Sequence, residues 1–211
     1  MTLIDQLGVA LGLATLAGLN LYLTVLVAGC AVRFHWLELS GSYGQMAVLA
    51  NPWVLGFASG LFVIEFFADK IPWVDSIWDV IHTVIRPAGA IFLTLAVLGK
   101  MDPAALVIAA LLGGGAALST HGAKSGIRAL LNLSPEPISN SVASVAEDGL
   151  VLGGLGLIGL SPALALFLFI GSVVVSTVVA IWIWKKIFRL RKRRADEMRD
   201  LAPEIQRSAG G

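Results

Sequence analysis

Long apolar runs fill most of this sequence and restrict what it can fold into. Hydrophobic residues make up 57% of the 211 residues, charged residues only 14%, and the mean hydropathy is +0.84. A soluble domain carries about 25% charged residues. A helix that spans a bilayer needs about 20 consecutive, mainly apolar residues. The sequence therefore predicts an all-α membrane protein with no separate soluble domain.

Six apolar segments are candidates for spanning helices. They cover residues 7–32, 52–68, 73–98, 103–120, 138–160 and 163–188. We expect one transmembrane domain over residues 1–188 and a basic tail over 189–211. The chain begins MTLIDQLG without a basic region, and its apolar stretch is too long for a signal peptide. The first segment is therefore predicted to remain as a membrane helix.

The distribution of basic residues predicts the orientation. Nine of the fifteen Lys and Arg residues follow residue 184. Basic residues near helix ends favour the cytoplasmic side, so the tail is predicted to be cytoplasmic. With six crossings the N-terminus is predicted to be cytoplasmic as well. This anchoring role explains the run RLRKRR without a nucleic-acid partner.

One polar segment interrupts the apolar pattern. Residues 69–86 read DKIPWVDSIWDVIHTVIR. Ionisable groups are expensive in lipid, so they need water, protein partners or a substrate. Asp75, Asp79 and His82 are spaced i, i+4 and i+7 and share one helical face. This face is the first candidate for a functional site.

A weaker copy of the pattern occurs at residues 137–148, PISNSVASVAED. Aligning Pro72 with Pro137 pairs Asp75 with Asn140, Asp79 with Ser144, and His82 with Glu147. We therefore predict two parallel repeats, about 51–99 and 102–160, with Asp75 and Asn140 close together in a cavity that faces the cytoplasm. Each polar half is predicted to be a broken or re-entrant helix, to lie at the interface, or to span. The tripeptide PAG at 87–89 marks where a break would fall.

The residue types suggest two kinds of ligand. The predicted solute- or ion-binding groups are Asp75, Asp79, His82, Asn140, Ser144, Glu147 and Asp148, with Glu65 and Asp69 extending the path. Carboxylates with a histidine suit proton transfer, or a divalent metal held by Asp75, Asp79, His82 and Glu147. The competing ligand is an anionic solute or a lipid phosphate, because helix N-termini attract anions and basic residues lie nearby: Lys70, Arg86, Lys124 and Arg128.

A structural explanation of the same residues stays open. These groups could pair among themselves, for example Asp79 with Arg86, or lie in the headgroup region. Trp73 and Trp78 are typical interface anchors.

Two stretches resemble a known family. ADKIPWVDSIWDVIHTVIRPAGA and HGAKSGIRALLNLSPEPISNSVASVAEDG are similar to the signature regions of a bacterial integral-membrane family, the domain-of-unknown-function family numbered 4126. The resemblance covers most of residues 8–160. It implies a small bacterial inner-membrane protein and carries no activity. Family members often have a basic residue where this chain has Asn20, which argues against a role for the first segment in the site.

Together these features favour a transporter or channel for a small solute or ion. The alternatives are a flippase or scramblase for anionic lipid, and a structural or assembly subunit. An enzyme is not expected, because no nucleophile–base pair or complete metal motif is visible, and GAKSG at 122–126 lacks the full phosphate-loop spacing. No cofactor is predicted. The expected partners are the bilayer and the solute, ion or lipid, and the sequence leaves a homo-oligomer open.

Overall fold

The protein is entirely helical in the residues that the computed structural model describes, which are 2–36, 46–99, 101–132 and 137–209. These residues form one short 3₁₀ turn, Met46–Ala50, and seven α-helices. The helices are α1 Leu3–Leu19, α2 Leu21–Arg33, α3 Pro52–Ala68, α4 Pro72–Leu98, α5 Pro103–Leu131, α6 Pro137–Leu160 and α7 Pro162–Ala209. The prediction of an all-α fold is confirmed.

Local sequence explains where the helices begin. The first residue of every helix from α3 to α7 is a proline, whose fixed φ suits the first turn and whose missing N–H would have no partner there. Side-chain caps precede several of them. Asn51 Oδ1 accepts a hydrogen bond from Trp53 N at 2.9 Å, and Asp102 Oδ1 accepts one from Ala104 N at 2.9 Å. These signals fix the helix starts independently of tertiary packing.

Four helices in the described part of the chain are long and apolar enough to cross a membrane. They are Trp73–Leu98, Pro103–Leu131, Ile138–Leu160 and Pro162–Arg189. Helices α1 and α3 have 17 residues and α2 has 13. At 1.5 Å per residue, α2 covers only about 20 Å of a hydrocarbon layer that is about 30 Å thick. A membrane protein is therefore supported, whereas the count of six spans is not.

The first apolar segment is broken at Asn20. This residue has an extended backbone (φ −148°, ψ 102°), and its side chain caps α2 by accepting from Leu23 N at 3.0 Å. Residues from both helices, including Leu13 and Ala28, line one apolar cavity of about 240 Å³. The chain therefore turns back at Asn20 and forms a helical hairpin, where a single helix over 7–32 was predicted.

The hairpin determines where the chain ends lie. Gly8, near the start of α1, packs against Pro162 at the start of α7. Helix α7 then runs to the other end of the bundle, where Ile183 faces Gly126 near the end of α5. The start of the chain and its basic tail thus lie at opposite ends. Which side of the membrane each end faces stays a prediction.

The polar halves of α4 and α6 are parts of continuous helices. Neither helix is interrupted, so the prediction of broken or re-entrant polar segments is wrong. Pro87 lies inside α4 without ending it. A proline inside a membrane helix is tolerated when neighbouring helices satisfy the freed backbone groups, and α4 packs along both α1 and α5. The internal repeat stays a prediction. The basic tail continues α7 without a break.

Helix α1 lies at the centre of the bundle and packs against α4, α5, α6 and α7. Its middle residues are fully buried, including Val9, Ala10 and Ala14. Large apolar side chains of the outer helices are exposed instead, as expected for surfaces that face lipid: examples are Val84, Leu111 and Phe167. The end of α1 therefore lies in the middle of the molecule, next to the polar halves of α4, α5 and α6.

Candidate functional site

Charged side chains from four helices meet inside the bundle, at the end that carries the basic tail. We call this group the charged cluster. It contains six acids, three bases and two histidines: Glu65, Asp69, Asp75, Asp79, Glu147, Asp148, Arg86, Lys124, Arg128, His82 and His121. All are at most 6% exposed except Glu147 and Asp148, which are half-buried. Groups buried this deeply need partners.

Arg86 joins three helices to its own. Its Nη2 forms an ion pair with Glu65 of α3, and its Nη1 donates to the Gly18 carbonyl of α1 at 3.0 Å. The same nitrogen lies 3.0 Å from Nδ1 of His121 in α5. The predicted pairing of Arg86 with Asp79 is not present. Two turns of one helix separate those residues by about 10 Å along the axis, and Glu65 is closer.

Arg128 is the second buried guanidinium. Its Nη2 lies 2.8 Å from Glu147 Oε2 and 3.3 Å from Asp69 Oδ2. Its Nη1 donates to the Asp69 carbonyl at 2.9 Å and to the Asn140 carbonyl at 3.3 Å, and lies 3.7 Å from Asp75 Oδ1. A guanidinium has five N–H donors, and this one uses them to join α3, α4 and α6 to α5.

Lys124 lies between these two arginines. Its Nζ is 3.1 Å from Glu147 Oε2 and 3.5 Å from Asp69 Oδ2. It also donates to the Leu19 carbonyl at 3.1 Å. The last carbonyls of a helix have no partner within the helix and carry partial negative charge. Lys124 and Arg86 therefore satisfy the end of α1 where the chain breaks.

Asp79 differs from the other acids. It is 6% exposed, and no basic side chain of the described residues lies within 4 Å of its carboxylate. Its Oδ1 has no hydrogen-bond partner among the described residues. Four other buried oxygens share this property, namely Glu65 Oε2, Asp69 Oδ1, Asp75 Oδ1 and Asn140 Oδ1. A buried acceptor without a donor costs about 1–3 kcal/mol, so these oxygens indicate a place for water, a proton or a cation.

The contacts of each histidine ring indicate which of its two nitrogens carries hydrogen. Arg86 can only donate, so Nδ1 of His121 accepts and its Nε2–H donates to the Asp79 carbonyl at 3.0 Å. In His82, Nδ1 lies 2.8 Å from the Trp78 carbonyl and therefore carries hydrogen. Its Nε2 lies 2.9 Å from the Tyr22 hydroxyl, from which it accepts when the ring is neutral. Both rings are held by groups other than the carboxylates.

A polar cavity of about 250 Å³ adjoins the charged cluster between α4, α5 and α7. It is lined by Asp75, Ser76, Asp79, Val80, Thr83, Ser125, Arg128, Ala129 and Trp184. Two apolar cavities of similar size lie elsewhere and contain no charged lining residue. This polar cavity is where a small solute can approach the carboxylates.

The structure brings together most of the residues predicted for the site. Asn132 donates to Asp75 Oδ2 at 3.4 Å and accepts from Asn140 Nδ2 at 2.8 Å, so it bridges the pair that the repeat predicted to be close. Ser144 Oγ lies 3.5 Å from Asp69 Oδ2, which places the second polar stripe against the same cluster.

The predicted metal set does not fit, and one predicted base lies apart from the others. In the described part of the chain, no three His, Cys, Asp or Glu side chains are placed to hold a metal ion, so Asp75, Asp79, His82 and Glu147 do not form a ligand set. The acids face basic groups instead. Lys70 lies apart from the cluster, because its Nζ donates to the Phe66 carbonyl at 2.9 Å and sits 3.1 Å from the centre of the Phe66 ring.

Sequence reasoning missed residues outside the two polar stripes. Asn20 was predicted to lie outside the site, yet its Nδ2 donates to Asp148 at 3.0 Å. A single Asn inside a long apolar run was the available signal, because Asn is a preferred helix cap. His121 and Tyr22 gave no such signal, since each is a lone polar residue whose partner comes from another helix.

The chain belongs to a family described as a domain of unknown function (DUF4126), whose family model matches residues 7–186. No curated protein and no solved structure matches the chain.

Proposed function

We propose that this protein moves a small solute or ion across the bacterial inner membrane through the charged cluster and its polar cavity. The observation that carries the proposal is the group of buried carboxylate oxygens without hydrogen-bond donors beside the cavity of about 250 Å³. The basic tail, at the same end as the cluster, would lie in the cytoplasm. The proposal involves no covalent chemistry and no cofactor.

The energetic burden of the charged cluster argues against a purely structural role. An ionised side chain at the centre of a membrane helix costs about 2.5–3.5 kcal/mol on insertion scales. Apolar residues of similar volume often replace a buried ion pair without loss of stability. A subunit that only packs against partners would not need six acids around three bases. The energetic cost of the charged cluster is easier to explain if its acids bind the transported solute or ion.

The charge balance favours a cation over an anion. The charged cluster has three more acids than bases, and each base already binds carboxylates. Arg86, Lys124 and Arg128 also donate to backbone carbonyls, so their hydrogen-bonding capacity is largely used. Lys70 is outside the cluster. The alternative of lipid-phosphate handling would need these bases to release their present partners.

Reconstitution into phosphatidylethanolamine–phosphatidylglycerol vesicles tests the proposal. The probes are Na⁺, K⁺, chloride, phosphate, glycerol and a fluorescent phosphatidylglycerol. We expect flux of a cation or a neutral solute, reduced at least about tenfold in Asp75→Asn, which removes a charged wall of the cavity. Asp102→Asn is the matched control, because Asp102 is an exposed helix cap and Asn caps equally well. Movement of the lipid probe alone, or of no probe, would contradict the proposal.

A further inference from the structure

We infer that the transported species is a small monovalent cation and that it is exchanged for a proton, both binding in turn to the Asp79 carboxylate. This inference rests on the proposed function and names its substrate class and its coupling ion. It starts from the contrast between Asp79 and the other acids of the charged cluster.

The other acids have fixed partners. Glu65 pairs with Arg86, and Asp69 and Glu147 each lie within 3.5 Å of both Lys124 and Arg128. Asp75 lies 3.7 Å from Arg128 and accepts from Asn132, and Asp148 accepts from Asn20. Among the described side chains, Asp79 alone of the six has neither an ion pair within 4 Å nor a hydrogen bond to its carboxylate. The negative charge of ionised Asp79 therefore has no paired positive side chain among the described residues.

A buried carboxylate cannot remain ionised and unpaired without a large desolvation penalty. It must therefore carry either a proton or a bound cation. Binding follows a balanced step: Asp79–COOH and M⁺ give Asp79–COO⁻·M⁺ and H⁺. No bond other than O–H breaks, the total charge is unchanged, and the released proton leaves through the cavity. One cation is exchanged for one proton because both need the same oxygen atoms.

The cavity wall determines the kind of cation. Asp79 supplies one unpaired charge, and the hydroxyl groups of Thr83 and Ser125 add neutral oxygen atoms to the lining. The guanidinium of Arg128 on the same wall would repel the second positive charge of a divalent cation. A divalent ion would need further ionised ligands, and the described residues do not assemble them. A hydrated alkali ion or a small organic cation fits the volume, since one water occupies about 30 Å³ of liquid.

The titratable and charged groups around Asp79 each contact another partner. They are Asp69 of α3; Asp75, His82 and Arg86 of α4; His121, Lys124 and Arg128 of α5; and Glu147 of α6. His121 donates to the backbone carbonyl of residue 79 and not to its carboxylate. Helix α7 contributes Trp184 to this wall.

Vesicles that contain a trapped pH-sensitive dye test the exchange. Na⁺, K⁺, guanidinium and tetramethylammonium are added outside, in separate experiments and with chloride as the common anion. We expect at least one of them to acidify the outside and to make the interior more alkaline. The coupled flux should fall at least about tenfold in Asp79→Asn, whose amide cannot carry a proton. Asp102→Asn should behave like the parent protein.

The outcomes separate this inference from the proposed function. Cation or neutral-solute flux without proton movement, or full exchange in a folded Asp79→Asn variant, overturns the inference and leaves transport standing. Flux of no probe overturns both. If the Asp79→Asn variant fails to fold, cation affinity is measured on the parent protein in detergent at several pH values. Cation affinity should weaken by up to about tenfold per unit of falling pH, with one proton released per cation bound. Affinity that is independent of pH overturns the inference.

Discussion

Gly18 provides a sharp test of how the broken helix is held. It lies near the end of α1, and a methyl group added there would meet Ala117 of α5. The new Cβ would be 2.5 Å from the Ala117 carbonyl oxygen and 2.8 Å from its Cα, whereas ordinary contact begins at 3.4 Å. Because both atoms belong to the backbone, rotation of a side chain cannot remove the overlap. Helices α1 and α5 would have to separate by about 0.9 Å.

The expected loss of stability follows from that displacement. Overpacking of this kind costs about 1–3 kcal/mol. Separation also weakens the hydrogen bonds that join the two helices, from Thr120 to the Thr15 carbonyl at 3.0 Å and from Lys124 to the Leu19 carbonyl at 3.1 Å. Each such bond contributes about 1 kcal/mol. We expect Gly18→Ala to destabilise the protein by about 2–4 kcal/mol and to lower its Tm by roughly 5–15 °C.

Thermal unfolding of the purified protein in detergent, followed by tryptophan fluorescence, measures this effect. Gly115→Ala is the matched control on α5, because no heavy atom lies within 4 Å of its added methyl group. Alanine is favoured over glycine inside a helix by up to about 1 kcal/mol, so the control should melt at or slightly above the parent temperature. A Gly18→Ala protein that melts as high as this control would refute the close approach of α1 to α5.

Two further predictions concern the cluster and the topology. Arg128→Met leaves Asp69, Asp75 and Glu147 without their guanidinium, so it should destabilise the fold by about 3–5 kcal/mol. Arg33→Met, at an exposed site with one bond to a backbone carbonyl, should cost less than about 1 kcal/mol, and equal losses in thermal unfolding would contradict the central role of Arg128. In a Cys30→Ser background, an impermeant maleimide should label Thr2→Cys in intact cells but label Lys192→Cys only after lysis; labelling both or neither from outside would contradict opposite chain ends.

The helices themselves could be predicted because their signals are local. The second segment was predicted as 52–68 and forms α3 over the same residues, and the fifth, predicted as 138–160, begins one residue earlier as α6. Proline and cap residues mark such starts, and apolar runs mark the spans. The end predicted for the fourth segment, at residue 120, was eleven residues early, because Lys124 and Arg128 look like a loop in a hydropathy profile. Inside the bundle their charges are paired, so α5 continues to Leu131.

The break at Asn20 could not be read from the same signals. One polar residue hardly changes the average hydropathy of a 26-residue window, so the first segment looked like a single span. The break depends on contacts that are distant in sequence. Arg86 and Lys124 satisfy the last carbonyls of α1, and Asp148 accepts a hydrogen bond from Asn20. Without these partners, an interrupted helix end in lipid would leave polar groups unsatisfied.

The polar face of the site was predictable, whereas the pairing within it was not. Helical periodicity placed Asp75, Asp79 and His82 on one side of α4, and the structure directs that side into the bundle. Periodicity does not reveal which neighbour supplies the opposite charge. Glu65 pairs with Arg86 because α3 packs there, and that contact is a property of the assembled bundle. Helix geometry alone could have excluded an ion pair between Asp79 and Arg86, because these residues are seven positions and about 10 Å apart along the helix.

The bases of the charged cluster stabilise the fold, whereas Asp79 is expected to serve transport. Each of the three bases donates to a backbone carbonyl as well as to a carboxylate: Arg86 to Gly18, Lys124 to Leu19, and Arg128 to Asp69 and Asn140. They therefore hold the helix ends in place, and their loss should reduce stability first. Asp79 has no such second role, since its carboxylate binds no backbone group among the described residues. Its replacement by Asn keeps the shape and removes the charge, so the effect should appear in transport before it appears in folding.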